Sequence, residues 1–205
     1  YTLRSNKGGG AWMNSFVDQS KFDGIELPVV MNTCNFPPPN DDGISLLSFE
    51  QVETLFHEFG HALHGLLSDV NYPSLSGTSV KRDYVEFPSQ MMENWAIQPE
   101  VLASYAKHYE TNEVIPQELI TKITNAAKFN QGFATTEYVA ASYLDMAWHM
   151  EEEQIEDANR FEQETLNELG LISQIATRYR STYFSHIFAG GYSMGYYSYL
   201  WTEVL

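Results

Sequence analysis

A helical repeat of apolar residues that follows Ser48 is the feature that most constrains the fold of this chain. The apolar side chains recur every three or four positions, at Val52, Leu55, Phe56, Phe59, Leu63, Leu66 and Leu67. This period is typical of an amphipathic helix that buries one face. Ser48 and Gln51 match a capping box, in which each side chain bonds the backbone of the other residue. We therefore predict an α-helix from about Phe49 to Leu67.

The rest of the sequence predicts a mainly α fold with a short lead-in of loop and strand at residues 1–46. Within the lead-in, ELPVVMN is typical of a strand and NFPPPNDDG of a loop. A second helix is predicted to begin near Asp83 and to end or bend at Pro99. Three further helices are predicted, over residues 116–128, 135–154 and 159–170. We expect residues 47–205 to be helical and the whole chain, 1–205, to form one region.

The composition excludes several classes of protein. The chain has 27 acidic and 11 basic residues and a net charge of −16, which predicts no nucleic-acid partner because such a surface repels phosphate. No apolar run approaches the roughly 20 residues that span a bilayer. The start of the chain lacks the basic and then apolar pattern of a signal peptide. We therefore expect no membrane partner and a cytoplasmic location.

The cysteine content and the chain ends give two more expectations. Cys34 is the only cysteine, which excludes an intramolecular disulfide framework and cysteine-rich zinc modules. The chain opens on Tyr1 and closes on the apolar, helix-like YSYLWTEVL without a capping Gly or Pro. We therefore expect a fragment of a longer protein whose own N-terminus is missing.

The first predicted helix contains His57-Glu58-Phe59-Gly60-His61, which fits the pattern H-E-x-x-H. Helical residues four apart differ by about 40° around the axis and roughly 6 Å along it, so both imidazoles can reach one metal ion. Glu58 lies beside that face, where it can accept a proton from a metal-bound water. A glycine inside a helix costs about 1 kcal/mol relative to alanine. Its presence at Gly60 therefore suggests a site where another part of the protein packs close to the helix. The alternative is a helix with two surface histidines.

The sequence alone leaves the third ligand open. His64 lies on the same face but is roughly 10 Å along the axis from His57, too far to share its ion. Asp69 falls in the turn that follows, close in sequence to the helix. The remaining candidates are Asp83, Glu86 and Glu93. Asp83 and Glu86 fit equally well as the capping box of the second helix.

A second stretch, HIFAGGYSMGYYSYL at residues 186–200, combines a histidine, a glycine turn and four tyrosines. A phenol can donate a hydrogen bond to the oxyanion that forms when a peptide carbonyl is attacked. Tyr192 and Tyr199 are seven positions apart and would share a face if this segment were helical. The alternative is a tyrosine-rich core segment. Just upstream, Arg178 and Arg180 are candidates for binding a peptide carboxylate, against ordinary surface pairing.

Three motifs in order give the chain a family resemblance. They are KGGGAWMNSFVDQSKFDG, FHEFGHALHGLLSDVNYPSLSGTSVKRDYVEFPSQMMENW and FSHIFAGGYSMGYYSYLWTEVL. Together they span nearly the whole chain, and it resembles the thimet oligopeptidase family of zinc metallopeptidases. Within that family it looks most like the bacterial peptidyl-dipeptidase branch. The resemblance implies a zincin-like helical catalytic domain.

The resemblance also implies roles for particular residues. One Zn²⁺ per chain would be held by His57, His61 and Glu86, the last in VEFPSQ, and Glu58 would be the general base.

In the tyrosine-rich stretch, the resemblance implies that Tyr192 and Tyr199 polarise the substrate carbonyl. His186 and Tyr196 are implied as substrate contacts.

The implied activity is zinc-dependent hydrolysis of peptide bonds in short peptides, with release of C-terminal dipeptides. The alternatives are an oligopeptidase that cuts in the interior of short peptides, a zinc enzyme of another hydrolytic class, and a non-catalytic helical interaction domain. Structural zinc sites normally have four protein ligands and no adjacent base. The glutamate inside H-E-x-x-H therefore argues against the last alternative.

Overall fold

The computed structural model describes residues 6–205, so the first five residues of the lead-in lie outside the described part. The chain is mainly helical with one small sheet, which confirms the predicted fold class. It divides into two compact units, the first ending at Ile123 and the second running from Thr124 to Val204. Across the described residues, no helix is long and apolar enough to cross a membrane.

The first unit opens with a two-stranded antiparallel sheet. Strand β1 is Trp12–Val17 and β2 is Val29–Thr33, with Trp12 opposite Thr33 and a bulge between Ser15 and Val17. The strand predicted in ELPVVMN is present as β2. Strand β1 was not predicted, because WMNSFV mixes polar and apolar residues without a clear period. Both strands contact helix α1, Phe49–Leu66.

Helix α1 begins as predicted. The Ser48 side chain accepts a hydrogen bond from the Gln51 backbone N–H, and the Gln51 side chain accepts one from the Ser48 N–H. This capping box fixes the start of the helix and therefore the direction in which the H-E-x-x-H face points.

The predicted second helix is instead two helices, α2 (Arg82–Val85) and α3 (Phe87–Ala96). Glu86 lies between them. The break follows from Pro88, which has no N–H to donate to the carbonyl four residues earlier. The capping-box alternative for Asp83 and Glu86 is wrong, because α2 is capped by Lys81 without a side-chain bond. Helix α4, Pro99–Tyr105, follows, so the helix does end before Pro99.

The three later helices predicted from the sequence lie close to the observed α5 (Gln117–Ala126), α6 (Gln131–Met150) and α7 (Ala158–Glu168). The short helix α8 (Ser185–Phe188) was not predicted, and α9 (Ser198–Val204) lies in the helix-like end of the chain. Residues 169–197 are mostly turns and short helices, so the expectation of helix throughout 47–205 is too broad there. A core of the second unit comprises Ala141, Phe184, Ile187, Tyr192 and Tyr196.

Candidate active site

His57 and His61 lie one turn apart on α1, and both imidazoles face Glu86. The Glu86 Oε2 atom is 3.2 Å from His57 Nε2 and 3.1 Å from His61 Nε2. Among the described residues, these three form a group whose ligand atoms all lie within 4.8 Å of one another. The structure thus brings together the three residues that the resemblance implied as ligands.

Gly60 explains how α3 comes close enough to present Glu86. A Cβ atom added at Gly60 would lie 2.5 Å from Ser89 Cα and 2.7 Å from the Pro88 carbonyl oxygen. Any side chain at this position would push the two helices apart. The expectation that Gly60 marks a close approach agrees with this geometry.

Two side chains on α3 orient the group. The Glu93 Oε1 atom is 2.6 Å from His57 Nδ1, the ring nitrogen that does not face Glu86. Ser89 is fully buried, and its hydroxyl donates to Glu86 Oε2 at 3.1 Å and lies 2.8 Å from the Glu86 carbonyl oxygen. Such partners fix the tautomer and ring orientation of a ligating histidine.

The carboxylates of Glu86 and Glu93 stabilise positive charge at His57. Burial alone would lower the pKa of His57, but its hydrogen bonds to Glu86 and Glu93 outweigh burial and raise the pKa to about 10. Two imidazoles and a carboxylate are also a donor set that suits a divalent transition metal. The residues present therefore fit the metal that the resemblance implied.

Glu58 is the buried carboxylate beside this group. It is 4% exposed, and its Oε2 atom has no hydrogen-bond partner within residues 6–205. Burial raises the pKa of Glu58 and outweighs the opposing effect of His57 and His61. A buried, unpartnered oxygen with a raised pKa is suited to accepting a proton.

The other acidic and histidine candidates lie elsewhere. His64 is not part of the three-residue group and lies against Tyr84, with ring centroids 6.4 Å apart. Asp69 pairs with Lys21. Glu93 contacts the far nitrogen of His57 instead of joining the group. Of the candidates left open by spacing, only Glu86 therefore reaches both histidines of the H-E-x-x-H pattern.

The second unit contains the tyrosine-rich stretch. The rings of Tyr192 and Tyr199 stack with centroids 5.4 Å apart and an interplanar angle of 12°. His186 lies near both, at 5.9 Å from Tyr192 and 6.4 Å from Tyr199. The segment before Ser198 is not helical, so a folded turn, and not helical spacing, brings the two rings together.

Tyr196 and the two upstream arginines are already engaged. Tyr196 is 2% exposed, and burial raises its pKa. Arg178 makes side-chain hydrogen bonds to Tyr179 and Tyr196. Arg180 donates from Nε to Glu162. Both arginines therefore have structural partners, which favours the alternative of ordinary pairing over a carboxylate anchor.

Sequence reasoning did not find the supporting roles of Ser89 and Glu93. The signal for Glu93 was its place seven positions after Glu86, which at helical spacing puts both on one side of the predicted second helix. Nothing in the sequence marks Ser89, because its position opposite Gly60 depends on how the two helices pack. Sequence reasoning also missed Asp145, a buried carboxylate of α6.

Comparison with known proteins decides the family. The model of peptidase family M3 matches residues 1–205. The chain belongs to peptidase family M3. This confirms the resemblance to the thimet oligopeptidase family drawn from the three motifs.

Several curated relatives of this M3 chain carry peptidase names. The dipeptidyl carboxypeptidase of Escherichia coli K12 is 48% identical over 100% of this chain and 30% of its own length. Oligopeptidase A of the same strain is 42% identical over 98% of this chain and 30% of its length. Mitochondrial intermediate peptidase 1 of Cryptococcus neoformans is 34% identical over 88% of this chain and 24% of its length. The chain thus spans less than a third of each relative.

Proposed function

We propose that this M3 chain is the catalytic region of a zinc metallopeptidase that hydrolyses peptide bonds in short peptides and releases C-terminal dipeptides. The observation that carries the proposal is the convergence of His57, His61 and Glu86 next to the buried Glu58, whose Oε2 atom has no hydrogen-bond partner among residues 6–205. Membership of family M3 supports the peptidase activity. The name of the E. coli dipeptidyl carboxypeptidase supports the dipeptide-releasing mode.

In this proposal His57, His61 and Glu86 would hold one Zn²⁺. When bound, zinc lowers the pKa of a coordinated water to about 7 and polarises a carbonyl. Glu93 holds the far nitrogen of His57, and Ser89 holds the ligating oxygen of Glu86. These contacts keep both ligands oriented before the metal arrives.

Glu58 is proposed as the general base. Its Oε2 atom accepts a proton from the attacking water and later returns it to the leaving amine. Two observations support this role: the atom is buried without a hydrogen-bond partner among residues 6–205, and burial raises the pKa of Glu58. A base whose pKa approaches the working pH transfers protons in both directions efficiently.

Tyr192 and Tyr199 are proposed to donate hydrogen bonds to the developing oxyanion of the substrate carbonyl. The stacking of the two rings, with centroids 5.4 Å apart, supports their action as a pair. His186, which lies next to both rings, and Tyr196 are proposed as substrate contacts. Tyr196 is also part of the buried core, and its contact with substrate stays a prediction.

Cleavage in the interior of short peptides is the second candidate function. The 42% identity to E. coli oligopeptidase A favours it. Both candidates use the same proposed chemistry and differ only in which bond of the peptide is cut.

A peptide-length series combined with zinc stoichiometry tests the proposal. We expect one zinc per chain, cleavage that stops on removal of zinc by a chelator, and C-terminal dipeptides as the main products by mass spectrometry. Because the chain spans about 30% of its relatives, we expect slow cleavage or relaxed length selectivity, since substrate positioning supplies much of an enzyme's rate. Internal cuts would favour the oligopeptidase, and cleavage without any bound zinc would refute the proposal.

A further inference from the structure

Asp145 is a buried carboxylate on α6 that has no part in the proposed chemistry. It is 1% exposed. Its Oδ1 atom accepts a hydrogen bond from the backbone N–H of Met194, and its Oδ2 atom accepts one from the N–H of Tyr196, each at 2.9 Å. His149, one turn later on α6, places Nδ1 2.9 Å from Oδ1. The carboxylate is thus bound to the turn between Tyr192 and Tyr199.

A second polar side chain of α6 holds the same segment. Tyr138 lies seven positions before Asp145, on the same face of the helix. Its hydroxyl donates to the Tyr196 carbonyl and accepts from the Leu200 N–H, with an N···O distance of 3.3 Å. Helix α6 therefore contacts the polar backbone of this segment at Met194, Tyr196 and Leu200.

The turn has a backbone conformation that needs such support. Met194 has φ of 54°, in the left-handed region that side chains other than glycine rarely adopt. Such a conformation is strained and persists only where surrounding contacts determine it. The bond from Met194 N–H to Asp145 acts at the strained residue itself.

The chemistry of the contact requires a carboxylate. Both oxygens of Asp145 accept from backbone N–H groups, and an ionised carboxylate offers two acceptors. An asparagine would turn its NH₂ group toward one of those N–H groups and lose that bond. Burying a carboxylate is costly unless its oxygens accept hydrogen bonds. The N–H groups of Met194 and Tyr196 supply those bonds to Asp145.

We propose that Asp145 is a positioning residue that fixes the turn at residues 193–196 and thereby sets the ring pair Tyr192 and Tyr199 in the orientation that donates to the substrate carbonyl. Tyr192 precedes the turn and Tyr199 follows it, so a loosened turn separates the two phenols. The catalytic part of this inference rests on the proposed function of the tyrosines. The structural part does not.

The test is Asp145→Asn in the full chain, measured by amide hydrogen exchange and by peptide cleavage. We expect exchange over residues 190–200 to accelerate at least tenfold while zinc content stays at the wild-type value. We expect kcat to fall by about tenfold to a hundredfold with a smaller change in KM, since misplacement of about 1 Å has effects of that size. In a Tyr199→Phe background, Asp145→Asn should cause little further loss, because the residue acts through the tyrosines.

Glu162→Gln is the matched control. Glu162 is a buried carboxylate of the same unit, 4% exposed, which accepts from the Ser181 backbone N–H at 2.6 Å and does not contact the tyrosine turn. Its loss should lower thermal stability without accelerating exchange at residues 190–200 or reducing kcat. Tyr138→Phe serves as the second variant if Asp145→Asn fails to fold, and it should accelerate exchange near Tyr196 and Leu200.

The outcomes separate this inference from the proposed function. Unchanged exchange in the variants at Asp145 and Tyr138 would overturn the inference. An equal loss of kcat with and without Tyr199→Phe would also overturn it, because Asp145 would then act on stability alone. If the wild-type chain cleaves no peptide, the proposed function fails, and the exchange measurement still decides whether Asp145 fixes the turn.

Discussion

Replacing Gly60 by alanine tests the geometry of the candidate metal site most sharply, because the change adds a single methyl group. In an ordinary helix interior this substitution stabilises by about 0.5–1 kcal/mol. At Gly60 the new Cβ would lie 2.5 Å from Ser89 Cα, whereas ordinary contacts begin at 3.4 Å. The neighbouring atoms are backbone, so α1 and α3 must separate by about 0.9 Å, the difference between these distances. Overpacking of this kind costs about 1–3 kcal/mol.

The same displacement moves Glu86 away from the two histidines. Metal–ligand distances tolerate only about ±0.2 Å, so a shift of 0.9 Å is several times the tolerance. We expect Gly60→Ala to weaken zinc binding at least tenfold, which is about 1.4 kcal/mol. A competition titration against a chromophoric chelator measures this affinity.

Gly132 on α6 provides the control for Gly60. An added Cβ there meets nothing within 4 Å, so Gly132→Ala should leave zinc affinity unchanged and leave stability equal or slightly raised. If Gly60→Ala binds zinc as tightly as the wild type, close packing at Gly60 does not set the ligand geometry, and the argument is wrong.

Three further predictions use single substitutions. His64→Ala should retain zinc and Glu86→Ala should weaken it markedly, as measured by metal content after dialysis, and equal affinities would contradict the choice of Glu86. Glu93→Gln should lower zinc affinity about tenfold, because the carboxylate contact to His57 Nδ1 is lost. The same chelator titration measures this affinity, and an unchanged value would refute an orienting role for Glu93. Burial raises the pKa of Tyr196 above the ordinary 10.0, so the folded state keeps a proton that the unfolded state loses. The contribution of Tyr196 to the free energy of unfolding is fully present below pH 10 and is lost as the pH rises above 10. Thermal unfolding midpoints should therefore fall above pH 10, and Tyr196→Phe should make that fall smaller.

The first helix and its chemistry were predictable because the signals are local. The capping box at Ser48, the apolar period and H-E-x-x-H all lie within residues 48–67, and each depends on neighbours in sequence. The predicted start at Phe49 agrees with α1, and its end at Leu66 differs from the prediction by one residue.

The third ligand needed either the structure or the resemblance, because spacing alone left Asp83, Glu86 and Glu93 open. What singles out Glu86 is the break between α2 and α3 and the close approach at Gly60, both of which depend on packing across helices. Sequence period cannot report a contact of this kind, since propensity and pattern describe one element at a time.

The tyrosine segment shows a different limit. Helical spacing suggested that Tyr192 and Tyr199 share a face, and their rings do lie together, but through a turn held by Asp145 and Tyr138. Those two residues precede the turn by roughly fifty positions in sequence, and nothing local marks them. The division after Ile123 was likewise invisible in the sequence, because α5 continues across it without a glycine or proline.

The most direct test of the proposed zinc peptidase is Glu58→Gln, assayed for bound zinc and peptide cleavage on the same preparation. The substitution keeps the size of the side chain and removes the oxygen that accepts the proton. We predict one zinc per chain, as in the wild type, with nearly all turnover lost. Loss of stoichiometric zinc, or cleavage at the wild-type rate, would contradict the assignment of Glu58 as the base beside a site formed by His57, His61 and Glu86.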